Sequence, residues 1–401
     1  MEENTTTITP AMWQYYEMKE QYKDCILFFR MGDFYEMFDD DAHIAHKILW
    51  IAITSRNKNS TTPTPLAWIP YHAKEKYLPL LINAWYKVAF AEQVSDPKLK
   101  WIVRREVVRV VTPATLSLEW DVYDLETWNN YIISIVEENW TFGISQLNLW
   151  TNKWSTWEFN NFNNLKTELY KLSPKEVVLD KKLLSNNELK EILEKKFSLN
   201  IYYFESTEKY KQKLINHFQV KTLEWFWIEN KLLSQKSSSM LLEYLESNQK
   251  SELKFLNSIS YISYDSYMNL DESTINNLDL IYNFSTKSST IWTLFGVLNK
   301  TKTSMWASFL REQLIKPLNN IDNIQKRLDF IEEFTKNKIL LDKVRTKLDY
   351  VSNINSILNR LALNRANPRD LLNLKRSLQS IVEIYEIIEI EWSDKLKQII
   401  I

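Results

Sequence analysis

Glycine is almost absent from this chain: Gly32, Gly143 and Gly296 are the only three in 401 residues, where ordinary usage near 7% would give roughly 28. Turns and helix C-termini call for positive φ, and a bulky side chain in that conformation is strained. Tryptophan is correspondingly abundant, at 16. It stands in turn-like contexts such as Leu66-Ala67-Trp68-Ile69-Pro70, Asn83-Ala84-Trp85-Tyr86 and Ser155-Thr156-Trp157-Glu158. Two readings are open: UGA codons written as tryptophan where the organism inserts glycine, or a genuine tryptophan bias. Bias alone does not empty turns of glycine, so the first is the expectation carried forward.

Other shortages exclude whole classes of function. One cysteine, Cys25, excludes an internal disulfide. The four histidines, His43, His46, His72 and His217, lack zinc-ligand spacing; His43 and His46 lie three apart without a third ligand. No apolar run approaches the roughly 20 residues of a membrane span. The acidic, polar start Met1-Glu2-Glu3-Asn4-Thr5-Thr6 is unlike a secretory signal, so a cytoplasmic protein is expected. A formal net charge of -1 gives none of the bulk basicity that announces nucleic-acid binding, so any such binding must rest on local clustering.

The length suggests two to four domains of about 100–200 residues each. Residues 1–118 alternate short apolar runs with helical stretches. Thr9-Pro10 predicts a helix N-cap and first turn leading to Tyr22, and Cys25 to Phe29 reads as a buried strand. Asp39 to Leu49 reads as a helix, with Lys87 to Ala91 and Glu106 to Val111 as strands. A second α/β alternation covers 119–240, with strands near Ile132–Val136, Thr141–Gln146 and Glu176–Leu179 and helices near Asn163–Leu172 and Leu189–Phe197. Residues 241–401 are dominated by helical spacing, as in Ile324-Leu328-Ile331 and Leu371-Leu374-Leu378, with Pro317 and Pro368 at helix ends or starts. The predicted fold class is multidomain, two α/β domains followed by an all-α region.

The most informative stretch is Phe28-Phe29-Arg30-Met31-Gly32-Asp33-Phe34-Tyr35-Glu36-Met37-Phe38. In an extended segment Phe34 and Glu36, two apart, share a face. A planar wedge and a hydrogen-bond acceptor would then point together. That pairing suits a defective base pair, since an apolar wedge in the minor groove can unstack a base step and a mispaired step opens more cheaply. Residue types alone favour the plainer reading, in which Phe34 and Phe38 pack in a core and Glu36 is solvated.

The string resembles the R-M-G-D-F-Y-E-x-F signature of the MutS family of DNA mismatch-repair proteins, and that resemblance reverses the choice. It implies that Phe34 stacks on the mispaired base and Glu36 hydrogen-bonds to it. Further matches follow in family order: Thr54-Ser55-Arg56-Asn57-Lys58, Pro65 to Ala73 against A-G-I/V-P-Y-H-A, Tyr86-Lys87-Val88-Ala89 against G-x-K-V-A, and Arg105 to Pro113 against a string ending T-P-G-T. Trp68 and Trp85 thus stand in glycine positions. Ala114 is a departure that recoding does not explain. Arg56, Lys58 and His72 are candidate phosphate or DNA-backbone contacts, with ordinary solvated surface as the alternative.

The resemblance implies a mixed-sheet mismatch-binding domain over 1–118 and a ribonuclease-H-like connector over 119–240, marked by Phe142-Gly143-Ile144-Ser145 and Thr222 to Ile228. It implies an incomplete helical core and lever over 241–401, marked by Leu270 to Leu278, Val297 to Trp306 and Leu361 to Leu371. Trp306 again occupies a glycine slot. A nuclease of the connector's fold would need clustered carboxylates for two metal ions; the strand offers Ser145, Gln146 and Asn148 instead, so no nuclease activity is assigned. No G-x-x-x-x-G-K-S/T phosphate loop occurs even with every Trp read as Gly.

The family's clamp and ATPase follow the point reached at Ile401, so a truncated product with exposed helix faces is expected. No catalytic site or cofactor is assigned to this chain, while ATP and magnesium belong to the ATPase beyond it. The implied partners are mismatched double-stranded DNA, a second copy in a homodimer and a MutL-type repair protein. Two alternatives remain: a metal-assisted nuclease, and a non-catalytic assembly scaffold that has lost mismatch reading.

Overall fold

The computed structural model describes residues 9–57, 63–95, 103–119, 130–149, 151–185, 187–191, 193–194, 200–204, 209–251, 253–262, 267–282 and 290–391. The chain divides into two compact units, Met1–Leu116 with Glu243–Glu252, and Ser117–Leu242 with Leu253–Ile401.

In the first unit, helix α1 (Pro10–Gln21) opens on proline, whose fixed φ and missing N–H cost nothing in a first turn. The expected cap at Thr9 is backbone only, because its side chain makes no capping bond. Then come β1 (Cys25–Met31), β2 (Phe34–Phe38), α2 (Asp39–Leu49), β3 (Ile53–Arg56), β4 (Thr64–Pro70), α3 (Lys74–Asn83), β5 (Lys87–Gln93) and β6 (Arg105–Val111). The strands form one sheet in the order β3-β4-β2-β1-β5-β6, parallel between β1 and β5 and antiparallel elsewhere. Trp68, expected in a turn, lies inside β4.

One face of this sheet packs Leu27, Phe29, Phe38, Ala89, Ala91 and Val110 against Met12 and Tyr15 of α1. On the other face Phe28 stacks on Tyr35, and Phe90 meets both rings edge-on. The buried Asp41 carboxylate accepts hydrogen bonds from the Tyr15 hydroxyl at 3.0 Å, the Leu27 N–H at 3.0 Å and Lys19 Nζ at 2.8 Å. Those bonds satisfy a charge that would otherwise be costly to bury. Burial, with Asp24 alongside, pushes the Cys25 thiol up to about 12, so it is a core side chain rather than a nucleophile.

The second unit holds a second sheet. Its elements are β7 (Tyr131–Glu138), β8 (Thr141–Asn148), β9 (Lys153–Phe159), α4 (Phe162–Leu172), β10 (Glu176–Asp180), α5 (Asn187–Glu191), β11 (Asn200–Phe204), α6 (Tyr210–Phe218), α7 (Leu232–Gln249), which runs across the division, and β12 (Ser260–Tyr261). The sheet order is β11-β10-β7-β8-β9-β12. β7 to β9 form an antiparallel meander, and the outer strands join in parallel. Gly143 is needed where α7 crosses β8, because a Cβ there would lie 2.5 Å from Leu233. Ser155–Glu158, read as a turn, lies within β9. Of the helix expected over Leu189–Phe197 the described residues show α5 and a π-helical Leu193 and Glu194, and the rest lies outside the described residues.

From α8 (Glu272–Asn277) through α9 (Leu294–Leu298), α10 (Ser304–Ile315), α11 (Ile321–Lys336), α12 (Lys338–Leu348) and α13 (Ile354–Ala362) to α14 (Pro368–Glu391) the described chain is helical. Asp271, Thr293, Thr303, Asn320, Asn337 and Asn353 each cap a helix by accepting a backbone N–H with the side chain. Each such cap contributes about 1 kcal/mol. Arg360, 1% exposed, joins α13 to α14 through Asp370, with Nη2–Oδ1 at 2.6 Å and Nε–Oδ2 at 3.3 Å. The apolar row Ile324, Leu328 and Ile331 of α11 is exposed. No described helix is long and apolar enough to cross a membrane.

Backbone geometry bears directly on the glycine shortage. Trp50, Trp85, Trp140, Trp227 and Trp292 have φ between +56° and +67°, the region that favours glycine. Trp50 is the left-handed C-cap of α2. Asn139 and Trp140, at φ 50° and 63°, form the two-residue turn between Glu138 and Thr141, where Asn-Gly is the preferred pair. Trp154 behaves otherwise: it is buried and its indole N–H donates to Ser145 Oγ at 2.7 Å. Among the described residues the buried indole N–H of Trp157 finds no acceptor. These placements support glycine at the left-handed positions and a true tryptophan at 154, while Trp157 packs in the core of the second sheet beside Phe159.

Trp140 is 78% exposed, so Trp140→Gly sacrifices little burial and should stabilise the second unit by about 1–2 kcal/mol through relief of the left-handed strain. The urea midpoint measures it. Arg360→Leu strands the Asp370 carboxylate and should cost about 3–5 kcal/mol in the same assay.

Candidate nucleic-acid interface

The edge of interest is the β1–β2 hairpin and the strand beside it. Arg30 pairs with Tyr35 and Met31 with Phe34, so Gly32 and Asp33 close the hairpin, with Gly32 at φ 60°. The period of two in β2 sends Phe34, Glu36 and Phe38 to one face and Tyr35 and Met37 to the other. Phe38 is fully buried against Tyr15. Phe34, at the open end of the same row, is 39% exposed. Glu36 lies between them, half-buried.

Glu36 Oε2 is 3.3 Å from Arg56 Nη1, an ion pair across β4 from β3. The Arg56 guanidinium also lies over the Phe38 ring, 5.7 Å from its centroid. Burial raises the Glu36 carboxyl above its ordinary range, with Arg56 and then Arg105 acting the other way. Arg105 is buried, donates from Nε to the Arg30 carbonyl at 2.6 Å and lies 5.0 Å from the Phe29 ring centroid. Burial pulls the Arg105 guanidinium down, and Glu36 opposes that. A half-buried carboxylate flanked by two guanidiniums is poised to meet a hydrogen-bond donor, or to accept a proton at modest cost.

At the hairpin tip the Tyr71 N–H donates to the Asp33 carbonyl at 2.9 Å, and the Arg30 guanidinium covers the Tyr71 ring at 3.7 Å. His72 follows, exposed, in a short 3-10 turn over Tyr71–Ala73, with its ring edge-on to Tyr71. The structure thus brings Phe34, Glu36 and Arg56 together and sets His72 beside the hairpin tip. Arg56 is engaged with Glu36 rather than extended into solvent. Lys58 lies outside the described residues. Sequence reasoning passed over Arg30, Tyr71 and Arg105. All three sit inside the strings it quoted, but a periodicity argument carries no signal for a guanidinium stacked across strands. Among the described residues no group of three or more His, Cys, Asp or Glu gathers to hold a metal ion.

Comparison with known proteins shows the family. Family models for MutS domain I, MutS domain II and MutS domain III match residues 9–119, 130–258 and 273–399. The DNA mismatch repair protein MutS of Lachnoclostridium phytofermentans is 37% identical over 397 residues, covering 98% of this chain and 42% of that protein. The protein of the same name from Methanosarcina barkeri is 38% identical over 395 residues, covering 94% and 44%, and that of Ruminiclostridium cellulolyticum is 38% identical over 389 residues, covering 94% and 43%. This chain spans less than half the length of these curated relatives. With all three domain models matched in order and relatives aligned along almost its whole length, the chain belongs to the MutS family.

Proposed function

We propose that this chain reads mismatched or unpaired bases in double-stranded DNA to initiate mismatch repair. Phe34 acts as a minor-groove wedge and Glu36 as the group that tests the displaced base. The observation that carries this reading is a half-exposed phenyl ring and a half-buried carboxylate on one strand face, two residues apart. An aromatic wedge pays for unstacking a base step with stacking of its own, and a mispaired step is the cheapest to open. The carboxylate repels phosphates, so it favours DNA only where a base donor or its own protonation satisfies it.

The rest of the assignment follows the family. The order β9-β8-β7-β10-β11 supports a ribonuclease-H-like connector, and the capped helices from α8 onward support a core and lever. ATP and magnesium at an ATPase domain, a homodimer, a MutL-type partner and a cytoplasmic location belong to the full-length protein under this proposal. His72 and Lys58 are assigned to the DNA backbone. Arg56 holds Glu36 first and meets phosphate second.

Phe34→Ala should remove about 1–3 kcal/mol of preference for a mismatched over a fully paired duplex, the range of one base–aromatic stack. Competition binding measures it, and an unchanged preference refutes the wedge. Glu36→Ala should weaken discrimination between duplexes more than total affinity for DNA. Equal affinity for both duplexes in the unmutated protein would favour the scaffold reading.

Stability against pH gives an independent check on Glu36. Its folded carboxyl titrates above the unfolded one, so the folded state holds the extra proton and loses stability as pH rises from about the unfolded value toward the folded one. Glu36→Gln mimics the protonated form. Its urea midpoint relative to the parent should therefore rise between pH 4 and pH 7; a flat difference contradicts the burial of this carboxyl.

A further inference from the structure

One half-buried guanidinium lies behind the hairpin that presents Phe34. Arg30 pairs with Tyr35 in the β1–β2 register, so its side chain stands on the face opposite the row Phe34, Glu36, Phe38. There its Nε donates to the Gly32 carbonyl, and its guanidinium lies over the Tyr71 ring, 3.7 Å from the centroid, with the Tyr35 centroid 5.5 Å away. The Asp33 carbonyl accepts the Tyr71 N–H at 2.9 Å. Both carbonyls of the hairpin tip are therefore tied to one corner, Gly32 through the Arg30 side chain and Asp33 through the Tyr71 backbone. The Arg30 main chain is anchored as well, since its carbonyl accepts from Arg105 Nε at 2.6 Å.

We infer that Arg30 is a positioning residue for Phe34: its side chain fixes the hairpin tip, and with it the direction in which the Phe34 ring leaves β2, without itself touching DNA. The inference rests on the mismatch-reading proposal for Phe34 and Glu36. Phe34 is the first residue after the tip, so any rotation of the Gly32 and Asp33 peptides turns its Cα–Cβ bond. Gly32, at φ 60°, has no Cβ to limit such rotation. The hold must come from outside the tip, and the Arg30–Tyr71 corner supplies it. A ring that enters one opened base step gains most when its direction is set before binding, because ordering it on the DNA would offset part of the stacking.

The chemistry of the corner calls for arginine. A planar guanidinium stacks on Tyr71 and directs an edge N–H at the Gly32 carbonyl at the same time, whereas an ammonium is a point charge on a flexible stem. One face of the Arg30 group is covered and its Nε is in use. That engagement separates its role from the open, mobile cation of a phosphate contact.

The test is competition between a duplex with one G·T mispair and its fully paired counterpart, repeated over a range of salt, with hydrogen exchange of the Tyr71 N–H in the free protein as a second readout. Arg30→Lys keeps the charge and loses the plane; Tyr71→Leu keeps the N–H and loses the ring. Each should lower mismatch preference by roughly threefold or more, leave affinity for the paired duplex and its salt slope as in the parent, and speed exchange of the residue-71 N–H. The two together should do no more than either alone. A phosphate contact gives the opposite pattern: Arg30→Lys holds the preference, and Arg30→Met weakens both duplexes alike with a shallower salt slope. That pattern overturns the inference, as does an unchanged Tyr71 exchange rate in Arg30→Lys. If Phe34→Ala removes a preference that Arg30→Lys leaves intact, the mismatch-reading proposal stands and this inference falls. A preference absent from the parent, or surviving Phe34→Ala, overturns both.

Discussion

Everything at the open end of β2 depends on where Phe38 is held. Its ring is locked among Tyr15, Phe29 and the α1 side chains, and the strand period of two then leaves Glu36 and Phe34 no freedom of face. A slip of one residue would bury Phe34's face and expose Tyr35, whose ring stacks with Phe28 and whose hydroxyl donates to Glu92. Both faces of β2 are thus fixed by aromatic packing, one through Phe38 and one through Tyr35. The left-handed turn at Gly32 lets β1 return as β2 in that register. Rigid packing at one end of a five-residue strand is what allows a half-exposed ring at the other.

The same packing accounts for the chemistry of Glu36. Its position between a buried and an exposed phenylalanine takes it partly out of water, which raises its carboxyl, while Arg56 and Arg105 restrain the shift. Those arginines hold their places through aromatic faces and backbone carbonyls rather than through Glu36 alone. The carboxylate therefore sits in a pre-formed cationic frame. An acidic group can face a polyanion there without making the whole edge repulsive.

Much of this was legible in the sequence, and the limits are physical. α2 was read to the residue because three aspartates occupy its first turn. β1, β5, β7 and β10 were found as apolar runs. β4 and β9 were missed because each carries a tryptophan in a string that reads as a turn. Phe34 and Glu36 were proposed from the motif, and the face that i, i+2 spacing gives them is the one they share in β2. The Glu36–Arg56 pair and the stacking of Arg30 on Tyr71 depend on sheet order, β3-β4-β2-β1, which periodicity does not encode. Glycine scarcity was visible from composition. Which tryptophans matter needed backbone angles and partners: Trp140 in its turn, Trp154 with a satisfied indole.

Under the proposed function the open end of β2 enters DNA at a mispair. A structure of the protein bound to a duplex with one G·T mispair decides it. The expected complex has the Phe34 ring stacked on one mispaired base from the minor groove, with a Glu36 carboxylate oxygen within hydrogen-bond distance of that base. A complex in which the mispair lies elsewhere, with Phe34 in solvent and the base stack intact beside it, would contradict it.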